Sequence, residues 1–72
     1  MCLAVPYKIL SLEGNKAKAD LFGAEKEIDV RIVDDLKKDD YVLVHAGFAI
    51  QKVNEEEAHE TLDLLRELSK NQ

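Results

Sequence analysis

Two side chains in this sequence have the chemistry to hold a soft metal ion or to attack an electrophile: the thiol of Cys2 and the imidazole of His45. Cysteine is small enough for the initiator methionine to be removed, so the mature chain is expected to begin with a thiol and an α-amino group on adjacent carbons. That pair can close a five-membered chelate ring around a metal, and the neighbouring ammonium favours the thiolate that binds metals. Thiolate is a soft donor suited to iron and other transition metals. His45 ends the apolar run Tyr41-Val42-Leu43-Val44, just before Ala46-Gly47, where a neutral imidazole can act as a ligand. Each residue also fits a plainer role, Cys2 as an ordinary terminal residue and His45 as a partly buried side chain bonding a nearby carbonyl. His59 falls on the polar side of an expected helix, among Glu56, Glu60 and Asp63, and is expected to be solvated.

Cys2 and His45 supply two side-chain ligands, whereas structural zinc sites use about four protein ligands and catalytic sites about three. Any metal would therefore be shared with a partner or arrive with small ligands of its own. Incomplete ligation suits a carrier, because a fully caged ion cannot be handed on. Other chemistry is poorly supported. The glycines Gly14, Gly23 and Gly47 are too scattered for a phosphate loop, and neither Ser11 nor Ser69 sits in a nucleophile motif. Asp34-Asp35 and Asp39-Asp40 read as a solvated loop. A thiol enzyme using Cys2 with His45 as base is an alternative, but no oxyanion hole or third orienting group can be identified for it.

A chain of 72 residues is expected to be one domain, with little length left for an enzyme's cleft and scaffold. The formal charge is −5, and the acidic excess is spread: residues 1–40 carry seven basic and nine acidic groups, residues 41–72 three and six. Phosphate backbones and anionic membranes are held by clustered Lys and Arg, so neither nucleic acid nor a membrane surface is an expected partner. An OB-like nucleic-acid module remains the alternative binding reading, with Tyr7, Phe22, Tyr41 and Phe48 as its few stacking rings. The single cysteine allows no internal disulfide. No signal-peptide pattern is seen at the start, and the longest mostly apolar run, Tyr41 to Ile50, is too short to span a bilayer. A cytoplasmic location is expected.

The positioning elements follow from periodicity. Val5 to Leu12 reads as a strand whose apolar parity switches between Ile9 and Leu10, which predicts a bulge; Pro6 places its start at an edge. Glu13-Gly14-Asn15-Lys16 is a turn, and Ala17, Ala19 and Leu21 then alternate with charged residues. A second turn is expected at Phe22-Gly23-Ala24-Glu25. Ile28, Val30 and Ile32 alternate with Glu27, Asp29 and Arg31 as the cleanest strand pattern in the chain. A charged connection, Asp34 to Asp40, leads to two strands, Tyr41–His45 and Phe48–Val53. Five short strands predict a mainly β fold, an OB-like antiparallel barrel over about residues 3–53, since closure removes exposed edges. A C-terminal helix over about 55–70 is expected to be capped by Asn54 with Glu57. Its stripe of Ala58, Leu62, Leu65 and Leu68, flanked by Thr61 and Leu64, is expected to pack on the barrel.

The opening Met1-Cys2-Leu3-Ala4-Val5-Pro6 resembles the signature start of the HypC/HupF hydrogenase assembly chaperones. Tyr41-Val42-Leu43-Val44-His45-Ala46-Gly47-Phe48-Ala49-Ile50 is similar to the family's core motif, and Asn54-Glu55-Glu56-Glu57-Ala58 through Thr61-Leu62 to the start of its helix. The three blocks stand in the family's order and cover nearly the whole chain. One departure is Asp39, which stands where the family commonly has glycine; the chain also ends soon after the helix, where some members carry a longer tail. The resemblance implies an OB-like barrel and a non-catalytic chaperone that binds HypD, with HypE reached through HypD. Together with HypD it would hold iron while the Fe(CN)2CO group is assembled, then accompany that group to the [NiFe]-hydrogenase large-subunit precursor. Iron would be transient and no cofactor permanently bound. By the same resemblance Cys2 is the iron ligand and partner contact, and His45 the family histidine, as second ligand or orienter. Leu3, Ala4, Val5, Pro6, Ala46, Gly47 and Phe48 would complete the docking surface.

Overall fold

The computed structural model describes residues 5–70, with side chains through Leu68. It contains five strands, β1 (Val5–Glu13), β2 (Lys16–Leu21), β3 (Ala24–Asp29), β4 (Tyr41–His45) and β5 (Phe48–Val53), followed by helix α1 (Glu55–Lys70). The strands close into a barrel in the order β1-β2-β3-β5-β4, the small OB-like architecture expected from the strand pattern. Every neighbouring pair is antiparallel except β3 and β5, which meet in parallel at a single register point, Asp29 opposite Phe48.

Inward-facing residues at alternate strand positions make the core: Ile9, Ala17, Ala19, Ile28, Val42, Val44 and Ala49, with Tyr7, Val33 and Leu36 packed against them. The small alanines on β2 and β5 let five strands close around a narrow interior. The parity switch in β1 is a bulge, since the register with β2 shifts between Ile9 and Ser11. Ile9, the last residue before that switch, is fully buried. It is also tied to the segment preceding β4, its N–H donating to the Asp40 carbonyl and its carbonyl accepting from the Asp39 N–H, both at 2.8 Å. Asp39 adopts φ +74°, the left-handed region where glycine is unstrained. The backbone conformation that favours glycine is thus kept by an aspartate, one of the few other residues that tolerate it.

Two expectations about the strands need correction. The pattern Ile28, Val30, Ile32 does not continue as one strand: β3 stops at Asp29, Val30 is buried just beyond it, and Ile32 is 63% exposed. The physical cause is local. The Arg31 N–H turns back onto the Asp29 carboxylate at 3.0 Å, and the Val30 N–H donates to Asn15 at 2.8 Å, which bends the chain out of the ladder. The second turn is also tighter than expected. Leu21 pairs with Ala24 and Asp20 with Glu25, so only Phe22 and Gly23 form the loop, both with positive φ. That is the signature of a type I′ hairpin, whose twist matches that of the flanking strands.

Helix α1 begins as expected. Asn54 Oδ1 accepts from the Glu57 N–H at 2.8 Å, and the Asn54 side-chain amide returns a bond to Glu57 Oε1 at 3.1 Å. Ala58 is fully buried on the barrel, while Thr61, Leu62 and Leu65 are half-buried. The expected stripe does not dock along its whole length, because Leu64 and Leu68 are 62% and 56% exposed.

Candidate functional site

His45 is the last residue of β4 and Phe48 the first of β5; they face each other across Ala46-Gly47. Both loop residues have positive φ, +53° for Ala46 and +84° for Gly47, again the pattern of a type I′ turn. Alanine in that region is uncommon, so the turn is held by its surroundings rather than by intrinsic preference. Val42 and Val44 point into the core, and strand alternation therefore turns the half-buried His45 to the opposite face. Phe48 and Ile50 flank the turn with 46% of their surface exposed each, while Ala49 between them is fully buried.

The beginning of β1 lies beside this turn. Val5 pairs with Val44 and Pro6 with Leu43, so the chain enters the barrel at the end of β4 that carries His45. Val5 is half-buried and Pro6 fully buried. Of the residues expected to form the docking surface, Val5, Pro6, His45, Ala46, Gly47 and Phe48 are therefore neighbours at one end of the β1–β4–β5 sheet, although Pro6 is buried. Cys2, Leu3 and Ala4 lie outside the described residues. Among the described residues, no three His, Cys, Asp or Glu side chains gather into a metal site.

An ion pair beneath the turn escaped the sequence reading. The Asp29 carboxylate, 6% exposed, receives Arg31 Nε at 3.1 and 3.0 Å and Nη2 at 2.8 Å, with Lys16 Nζ at 3.7 Å. The hydrogen bonds from the Arg31 side chain and backbone hold the Asp29 carboxyl below its ordinary range, outweighing the opposing effect of burial, and raise the Arg31 guanidinium in turn. The Asp29 N–H also donates to the Gly47 carbonyl at 2.9 Å, which ties the end of β3 to the turn. The only signal in the sequence was two opposite charges two residues apart, which in a strand reads as an ordinary solvated face.

His59 is not simply solvated. Its ring packs edge-on against Tyr41 at 5.4 Å, with Nε2 3.4 Å from the Tyr41 hydroxyl and 3.6 Å from Glu55. Arg66 sits over the Phe22 ring at 5.3 Å. Together these contacts pin α1 across the barrel and leave a half-open cleft of about 680 Å³ lined by Lys8, Asp20, Phe22, Tyr41, His59 and Arg66, among others. None of the residues of the His45 turn lines that cleft.

A model of the HupF/HypC family matches residues 1–65, nine-tenths of the chain. The chain belongs to the HupF/HypC family. Among curated relatives, it is 51% identical over 69 residues to the hydrogenase maturation factor HypC of Azotobacter chroococcum mcd 1, covering 94% of this chain and 82% of the relative. It is 46% identical over 68 residues to the factor of the same name from Rhizobium leguminosarum bv. viciae, covering 93% and 91%. With that of Escherichia coli K12 the identity is 38% over 74 residues, covering 94% and 82%. The three blocks that carry the resemblance, residues 1–6, 41–50 and 54–62, all fall within the HupF/HypC match. Among the described residues no helix is long and apolar enough to cross a membrane.

Proposed function

We propose that this HupF/HypC-family chain is a non-catalytic hydrogenase maturation chaperone that works in the cytoplasm. It docks on HypD, through which it also meets HypE, and shares with HypD the iron on which the Fe(CN)2CO group is assembled. It then delivers that group to the [NiFe]-hydrogenase large-subunit precursor. Iron is cargo here, held by the Cys2 thiolate as the soft donor, with His45 as second ligand or orienter. The single observation that carries the reading is the pairing of Val5 with Val44, beside His45. Cys2 is three residue steps from Val5, a reach of at most roughly 11 Å for an extended chain. A tether of that length is short enough for a partner to bring the thiol and the imidazole to one metal. Two donors leave coordination positions for a partner's side chains and for diatomic ligands, as a transferable metal group requires.

The test is anaerobic co-purification with HypD followed by infrared spectroscopy. Cyanide and carbonyl bands on iron are expected with the natural chain. Cys2→Ala is expected to abolish both the bands and hydrogenase maturation while the thermal midpoint stays put. Full maturation by the Cys2→Ala chain would sink the proposal.

A further inference from the structure

The turn that carries His45 holds Ala46 in a backbone conformation that alanine does not favour, and beyond the ladders of β4 with β5 and β1 it is tied to β3. Ala46 and Gly47 both occupy the left-handed region. Alanine gains nothing there, so the conformation is kept by the β4–β5 pairing that closes the turn and by the bond made to it from outside the hairpin. The Gly47 carbonyl accepts from the Asp29 N–H at 2.9 Å, and Phe48 opposite Asp29 is the single register point between β3 and β5. Asp29 is therefore the residue through which the turn meets β3.

Asp29 is in turn held by its own carboxylate. Both oxygens accept from the Arg31 side chain, the Arg31 N–H adds a third donor, and Lys16 stands at 3.7 Å. The adjoining Val30 N–H is bonded to the Asn15 carbonyl, which locks the same corner to the β1–β2 turn. A planar guanidinium that meets both carboxylate oxygens fixes direction as well as distance, which a lysine's point charge does not. Arg31 is more than half exposed, yet its charged end is spent on the buried Asp29 and not on an exposed neighbour.

We propose that Asp29 and Arg31 form a clasp that positions the His45–Phe48 turn for partner docking, Arg31 acting through Asp29 as a positioning residue and touching neither partner nor metal. This deepens the function proposed above and rests on it only for the docking step. The clasp itself is a property of the isolated chain.

Amide hydrogen exchange on the isotope-labelled full chain, alongside affinity for HypD, tests it. In Arg31→Gln the Asp29 amide is expected to exchange about tenfold faster or more, while the core amides of Val42 and Val44 keep their rates. The coupling constant of Ala46, which reports φ, is expected to drift toward an averaged value. HypD affinity is expected to fall by about tenfold as the turn loses its single geometry. Arg31→Lys, which keeps the charge but not the fork, is expected to restore the global melting midpoint more fully than the Asp29 amide protection. It also serves as the gentler variant should Arg31→Gln unfold. An Asp29 amide that exchanges at the natural rate in the variants, or that speeds up only in step with all core amides, overturns the clasp. Unchanged HypD affinity with a loosened turn overturns its role in docking. Failure of the natural chain to bind HypD at all would instead remove the proposed function and leave the exchange result standing.

Discussion

At the scale of single residues, positive-φ positions separate composition from conformation. Asp39 stands at φ +74° where glycine would be unstrained, and its N–H and the Asp40 carbonyl together bracket Ile9. Relief of left-handed strain by glycine is worth up to about 1–2 kcal/mol, less for aspartate, and glycine's extra freedom in the unfolded chain costs about 0.5–1 kcal/mol. The two nearly cancel. The 3.7 Å contact between Asp39 and Lys8 is exposed and decides nothing. Asp39→Gly is therefore expected to leave the unfolding free energy within about 0.5 kcal/mol of the natural value, whereas Asp39→Val is expected to lower it by about 1–2 kcal/mol. Chemical denaturation of the two variants side by side distinguishes backbone strain from side-chain loss, which would affect both alike.

Among the elements, helix α1 depends most on a local signal. Asn54 and Glu57 exchange two bonds at its start, and three glutamates, Glu55 to Glu57, sit at the positive end of its dipole. Tertiary anchorage is thin by comparison: Ala58 fully buried, Thr61, Leu62 and Leu65 half-buried, and the ring contacts of His59 and Arg66. Asn54→Ala is expected to cost about 1 kcal/mol, measured as a drop in the urea midpoint. Helical ellipticity should fall before the exchange protection of barrel-core amides such as that of Val42 does. Coincident transitions would show that the helix melts only with the barrel. The strands were legible through alternation and the hairpins through Gly-containing turns. The end of β3 was not, because Val30 keeps the apolar parity while its N–H has already left the ladder for Asn15.

On the scale of the whole molecule, closure of the barrel rests on the Asp29 corner, where β3 meets β5 at one point. The Asp29 carboxyl titrates below its ordinary value of 3.8, chiefly because Arg31 hydrogen-bonds its charged form, with Lys16 the other cation nearby. A carboxyl depressed on folding adds stability above its unfolded pKa, and that stability is lost as pH falls through the folded value. The natural chain is thus expected to lose stability between roughly pH 4 and the lower folded pKa. Asp29→Asn should flatten that part of the acid limb, as read from denaturation midpoints at successive pH values. An acid limb of the same slope in both chains would show that other carboxylates carry it.

Alternation, turn residues and capping signals act between residues close in the chain, so the sequence alone determined five strands, the bulge in β1 and the start of α1, while the family showed in the resemblance of three sequence blocks. It also marked His45, through an apolar run that ends at a glycine turn. Only the tertiary structure decided which distant segments meet: Val5 beside Val44, Asp29 beneath Gly47, His59 against Tyr41 and Arg66 over Phe22. Those pairings depend on how a twisted sheet closes on itself, a constraint that no local pattern carries. They turn two separate motifs into one end of a barrel.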